Sequence, residues 1–343
     1  MKAVRFHEHG GPEVLKYEDV PDPKINAVEV LVKVRACALN HLDIWLRKGI
    51  PGWKIPLPHI CGADISGEVV EVGELAGAGI KAGQRVLLNP GLSCGNCARC
   101  IAGDDNLCRD YSVFGTLQDG GYAELVKAPG HSVIPIPGDL SFEEAAAVPL
   151  VNVTAWHMLI NRARLQAGET VLVLGAGSGV GSAAIQIAKL FHCRVITTAG
   201  NDAKLAKARE LGADEVINHT TQDIAAEVRR LTNKRGVDVV IEHVGTATWQ
   251  KSFMSLGVNG RLVTCGNTTG YDAAIDLRYL FNRHLSLLGS FMGRSDELLA
   301  ALPFFAQRKL KAVVDRVFPL SEARQAQEYL EGRQQFGKVL LRP

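Results

Sequence analysis

The chain has 343 residues, of which 47% are hydrophobic and 22% charged, with a formal net charge of +2. That length accommodates two compact domains, and the balance is that of a globular protein in water. Near-neutral charge without a basic stripe excludes a nucleic-acid partner, no apolar stretch is long and unbroken enough to span a bilayer, and the opening residues lack the apolar run of a signal peptide, so a cytoplasmic location is expected.

In chain order, the first half reads as all-β. Alternating runs at 29–35, 67–72 and 84–88 are separated by Gly and Pro, which suggests a small barrel or sandwich. Within this half, four of the eight cysteines fall between residues 94 and 108. Cys94, Cys97, Cys100 and Cys108 offer four thiolates from one loop. Four sulfurs complete the tetrahedral shell that zinc prefers and leave no position for water, so the expected ion is structural. An iron–sulfur cluster and an unligated loop are the competing readings. The other cysteines, Cys37, Cys61, Cys193 and Cys265, are dispersed in apolar settings and read as buried thiols.

The texture changes near residue 150. Buried strands at 171–174, 194–198, 237–241 and 261–264 alternate with helices at 180–190 and 203–211, the pattern of a parallel, doubly wound α/β sheet. Two helices, 295–306 and 321–334, and a closing strand, 337–341, complete the chain.

The turn Gly175-Ala-Gly177-Ser178-Gly179-Val180-Gly181 follows the first of these strands and opens the first helix. Glycines there let the backbone approach a pyrophosphate, and the helix N-terminus supplies free amides, so a dinucleotide is the expected ligand. An NAD site places an acid at the end of the next strand, about twenty residues on. Here Thr198, Ala199, Gly200 and Asn201 stand at that end and Lys204 follows. Without a carboxylate to repel it, a 2′-phosphate is attracted to the ammonium, which favours NADP. Asp202 keeps NAD open.

These features together resemble the medium-chain dehydrogenase/reductase superfamily, the zinc alcohol dehydrogenases and quinone oxidoreductases. The likeness runs over the whole chain and includes Gly62-Ala63-Asp64, the four-cysteine lobe, the glycine turn, Glu242-His-Val-Gly245 and the closing Phe336-Gly-Lys-Val-Leu. It implies a GroES-like, β-rich catalytic domain at 1–152, completed by 290–343 and carrying the zinc lobe at about 90–112, with a Rossmann domain at 153–289. It also implies a homodimer or homotetramer.

The resemblance places the three ligands of a catalytic zinc at Asn40, Ala63 and a position near Leu150, none of which suits that ion. An improvised site from Cys37, His59, Cys61 and Asp64 is the competing possibility. The pattern is similar to the branch that reduces quinones or α,β-unsaturated carbonyls with NADPH and without catalytic zinc, although the cysteine lobe belongs to the alcohol dehydrogenase side. Asn40, His41 and His59 are therefore the candidates for polarising or protonating a substrate. Asn40 could instead brace its own loop, and His41 could contact the pyrophosphate. The likeness places Thr154, Val244, Cys265, Gly266, Ser290 and Phe291 around the nicotinamide. It places Gly200, Asn201, Lys204, His219 and Arg333 around the adenosine phosphate. Trp45 and Trp53 are pocket-wall candidates, and Pro51 replaces a tyrosine proton donor of some enoyl reductases. The expected partners are a small carbonyl, quinone or alcohol substrate, an NADP or NAD cofactor and one structural zinc per chain. The alternatives are an alcohol or aldehyde dehydrogenase with a displaced metal site, and a cofactor-binding protein without useful catalysis.

Overall fold

The computed structural model describes residues 1–343. The chain forms two compact units. One comprises Met1–Leu150, Arg294–Arg308 and Ala312–Pro343, and the other Val151–Gly293 with Lys309–Lys311. No helix is long and apolar enough to cross a membrane.

The first unit is built on a seven-stranded sheet. Its organiser is the ten-residue strand Glu29–Ala38, which is too long to serve a single neighbour on each side. Its first half pairs antiparallel with Leu125–Pro129, and its last residues pair with the closing strand Lys338–Arg342. Along its other edge it pairs with Asp64–Val72, with register shifts at Leu31/Val32 and Val34/Ala36 that bend the sheet. Ala38 thus lies opposite Leu340 on one side and Asp64 on the other. Antiparallel register then brings Lys338, two residues before Leu340, towards Asn40, two residues after Ala38.

The first half is not all-β. Helices His41–Lys48 and Phe142–Ala146 interrupt the strands. Only eight residues long, the first has no extended apolar period to betray it. Its start is fixed locally, because Asp43 Oδ2 accepts the Asn40 backbone N–H at 2.7 Å. Fully buried Arg47 then ties this helix to Ala323–Glu331 through Gln327 and Glu331, at 2.7 and 2.6 Å.

The second unit holds a six-stranded parallel sheet. In spatial order its strands are Glu215–Asn218, Arg194–Ala199, Thr170–Val173, Val237–Glu242, Leu256–Thr264 and Ser286–Gly289. The outermost two, Glu215–Asn218 and Ser286–Gly289, lie outside the strands expected from sequence, being four residues each and only partly buried. Strand order reverses between Thr170–Val173 and Val237–Glu242, the switch point where open α/β sheets bind ligands beyond the carboxyl ends of their strands. Leu172, Ile196, Val240, Phe253 and Leu262 form the centre of the core.

Candidate functional site

The glycine turn lies at that switch point. Thr170–Val173 feeds into it, and helix Gly179–Leu190 leaves it with Ser178 as N-cap. Ser178 Oγ accepts the Gly181 amide at 2.8 Å. The amides of Gly179 and Val180, in the first turn, have no partner further back in the helix and point out of its positive end. A Cβ on Gly181 would lie 2.2 Å from the Gly175 carbonyl oxygen, so the turn closes only around glycine. Gly181→Ala must open it, at a strain of about 1–3 kcal/mol. The expected result is cofactor affinity reduced about tenfold or more, read by fluorescence titration, with zinc content unchanged. His243 backs the turn from the next strand, its Nε2 bonded to the Leu174 carbonyl at 2.8 Å and close to Ser178 Oγ at 3.2 Å. Burial lowers its basicity.

The residues expected around the nicotinamide gather at the carboxyl ends of the neighbouring strands. Glu242 is fully buried, and it accepts the amides of Val244 and Gly245 at 2.6 and 3.2 Å and the hydroxyls of Thr248 and Ser252. This one carboxylate fixes the loop that presents Val244. Cys265 follows, its amide on the Glu242 carbonyl at 3.1 Å and its thiol pushed by burial up to about 12. Gly266 accepts from the Thr264 hydroxyl at 3.3 Å. The Ser290 amide bonds Thr264 at 2.8 Å, while its buried hydroxyl has no protein partner. That orphaned donor suits the carboxamide of a bound nicotinamide. Thr154 is buried on helix Pro149–Trp156, and Phe291 is exposed.

At the second strand end, Asn201 caps helix Asp202–Glu210 by accepting the Lys204 amide at 2.9 Å. A Cβ on Gly200 would stand 3.3 Å from the His219 ring, so these two meet here. Asp202 is engaged sideways by the Asn218 side-chain amide at 3.1 Å. Arg333 belongs to the first unit, with a left-handed backbone at φ 52°.

In the first unit, the positions assigned to catalytic-zinc ligands do converge, but on a carboxylate. Asp64 is fully buried. Its Oδ1 accepts the Leu150 amide at 2.8 Å, and its Oδ2 accepts the Asn40 side-chain amide at 3.0 Å and the Lys338 ammonium at 2.9 Å. Lys338, 4% exposed, also donates to Asn40 Oδ1 at 2.6 Å. The Asn40 carbonyl oxygen and the Asp64 carboxylate are thus both engaged by an organic cation, and the Leu150 amide by the carboxylate. An ammonium here repels any second cation, and a catalytic zinc does not fit. Asn40 therefore holds this pair with both ends of its side chain, while its backbone N–H takes part in the capping box with Asp43.

Next to it, Asp43 accepts the Tyr122 hydroxyl at 3.0 Å and the Gly62 amide at 3.2 Å, and burial raises its carboxyl to about 6. Gly62 is left-handed at φ 109°, and a Cβ there would collide with Tyr122 and Cys37.

The improvised metal set does not come together. Cys37 and Cys61 are buried thiols held well above the ordinary range by burial. Asp64 is committed to Lys338. His59, 1% exposed, contacts the Gly115 carbonyl at 2.8 Å through Nε2 and packs edge-on to Phe6, and burial lowers its basicity. That engagement corrects the expectation of a substrate contact from His59; it pins one loop to another. His41 opens helix His41–Lys48 half-exposed, its ring 6.3 Å from Trp45, while Trp53 is an exposed side chain. Lys338, Asp43 and Glu242 were missed as site-building residues. The available signals were a charge at the end of an apolar strand for Lys338 and Glu242, and capping-box spacing after Asn40 for Asp43.

Cys94, Cys97, Cys100 and Cys108 are the one group of potential metal ligands that the fold draws together, with all four sulfurs within 4.8 Å of one another. Three of the sulfur separations are 3.5, 3.5 and 3.9 Å. Tetrahedral zinc, with bonds of about 2.3 Å, needs sulfurs about 3.8 Å apart. The donors fit that ion. Exposed Ile101 and Leu107 show that the loop has no apolar core of its own.

Comparison with known proteins agrees with this architecture. The family described as alcohol dehydrogenase GroES-like domain matches residues 26–138, and that described as zinc-binding dehydrogenase matches 179–307. An NAD-dependent alcohol dehydrogenase of Sulfurisphaera tokodaii is 32% identical, covering 100% of both chains. The quinone oxidoreductase of Homo sapiens is also 32% identical, over 99% of this chain and 97% of its own. A crystal structure of an NAD-dependent alcohol dehydrogenase superposes with a TM-score of 0.97 at 47% identity, covering all of both chains. With likeness over its full length and a dinucleotide turn at the switch point, the chain belongs to the medium-chain dehydrogenase/reductase superfamily and is a nicotinamide-dependent oxidoreductase of that type.

Proposed function

We propose that this enzyme reduces quinones or α,β-unsaturated carbonyl compounds with NADPH, without a catalytic zinc, and that its single zinc is the structural ion of the cysteine lobe. The observation that carries this reading is the Asn40–Asp64–Lys338 cluster, which fills the metal-ligand positions with a satisfied ion pair. The bound nicotinamide supplies a hydride. This chain's own residues hold the pyrophosphate on the amides of Gly179 and Val180 and orient the carboxamide through Ser290. A conjugated acceptor spreads its developing charge over the enolate, so hydrogen-bond donors and a proton source suffice without a strong Lewis acid. His41, half-exposed at a helix start, is the proposed proton relay.

NADPH is supported by the strand end. No carboxylate stands there, the Asn201 oxygen is taken by Lys204 N and Asp202 is drawn to Asn218. Lys204→Ala is expected to raise the KM for NADPH about tenfold, the worth of one charge-assisted hydrogen bond of about 1.5 kcal/mol, with NADH barely affected. Steady-state assays of enones, quinones and primary alcohols with both cofactors test the reading. Preferred alcohol oxidation with NAD would contradict it. The open backbone edge of Ser286–Gly289, which ends the sheet, supports association of copies of this chain as a homodimer or homotetramer.

A further inference from the structure

The second unit carries a cavity at the end of its sheet remote from the glycine turn. It opens before the first residues of Val237–Glu242 and Leu256–Thr264, and its volume is about 240 Å³. Four cations line it, Arg229, Lys234, Arg235 and Arg283, and no carboxylate does. Arg235 is paired outside the cavity with Asp238 at 2.6 Å. Arg229 and Arg283 instead converge on one neutral group, the Tyr279 hydroxyl. Arg229 reaches it at 3.5 Å, and Arg283 both donates to it and stacks on its ring, 4.6 Å from the centroid. The phenol donates a hydrogen bond to the Met254 carbonyl at 3.4 Å, which leaves its lone pairs to accept from the two guanidiniums. Burial, and after it the proximity of Arg229, lowers the basicity of Arg283. Like charges held together against their repulsion, around a hollow and without a counter-ion, form a preorganised anion receptor. Met254 and buried Leu256 give the hollow an apolar floor.

We propose that this cavity binds a small phosphorylated compound, with phosphoryl oxygens on Arg229, Arg283 and Lys234 and the remainder of the ligand against Met254 and Leu256. Planar guanidiniums match phosphoryl geometry in two-pronged fashion, and the volume, below that of ordinary drug-sized pockets, suits a phosphoryl head with a short body. The site is separate from the cofactor turn, which follows Thr170–Val173 at the opposite end of the same sheet.

Inorganic pyrophosphate is the probe, titrated calorimetrically into zinc-loaded enzyme saturated with its nicotinamide cofactor so that the glycine turn is blocked. Saturable binding of one pyrophosphate per chain is expected, at least tenfold weaker in Arg229→Gln and in Arg283→Gln and unchanged in Arg324→Ala, a control cation on another helix. Succinate, a dicarboxylate of similar charge, is expected to bind at least tenfold more weakly than pyrophosphate. No saturable binding to the wild type, or equal binding by wild type and both arginine variants, would overturn the proposal, and succinate binding as tightly would overturn the phosphoryl assignment. Should Arg283→Gln fail to fold, Arg229→Gln, at an exposed helix turn, carries the same expectation alone.

Discussion

Lys338→Met is expected to destabilise the protein by about 3–5 kcal/mol, the usual cost of removing one partner from a buried ion pair. Methionine fills much of the volume of the lysine stem, so the loss is electrostatic rather than a cavity effect. It leaves Asp64, with no exposed surface, as an uncompensated buried carboxylate, and it deprives Asn40 Oδ1 of its donor. The midpoint of urea unfolding should fall with little change in slope. Adding Asp64→Asn to Lys338→Met should recover a large part of the loss, because a neutral amide no longer demands a counter-charge. A mere packing role for Lys338 predicts no such recovery. If Lys338→Met unfolds at the wild-type midpoint, the ion pair does not organise this corner of the first unit.

Cys100→Ser is expected to reduce bound zinc from about one per chain to nearly none. At free zinc a thousandfold above its dissociation constant, binding stabilises the fold by about 4 kcal/mol, all of which the variant forgoes. The lobe has little else to hold it. Its residues Ile101 and Leu107 are exposed, and polar contacts tie it to the start of helix Ser295–Ala306, where Asp105 accepts the Ser295 amide at 3.1 Å and Asp104 pairs with Arg294 at 3.8 Å. Hydrogen exchange should therefore accelerate first in residues 90–112, with the parallel sheet of the second unit protected as before. A strong chelator should lower the melting temperature of the wild type and leave that of Cys100→Ser where it is. A variant that keeps its zinc would show that fewer than four thiolates suffice.

Much of the second unit was legible because its signals are local. A buried strand, a glycine turn and an apolar helix follow one another within the stretch from Thr170 to Leu190 and need no distant partner to be recognised. The same holds for the cysteine loop, whose four ligands lie within fifteen residues. The ion pair was illegible for the opposite reason. Asn40 and Lys338 stand 298 residues apart and meet only because Glu29–Ala38 takes the closing strand as its neighbour. Sequence reasoning identified Asn40 as a replaced ligand but could not say what the replacement held. His59 misled because an imidazole near lost ligand positions suggests chemistry, whereas its burial and its bond to Gly115 depend on a loop 56 residues on. Helix His41–Lys48 was overlooked because eight residues among strands carry too little periodicity.

In the proposed function, hydride transfer proceeds without a metal at the reacting carbonyl. Zinc per chain, measured by mass spectrometry of the purified enzyme alongside its turnover of an enone before and after brief chelation, tests it most directly. About one zinc, with turnover unchanged while the cysteine lobe retains its ion, is the predicted result. About two zinc ions, with activity lost as the second is withdrawn and restored on its return, would show instead that a catalytic zinc takes part.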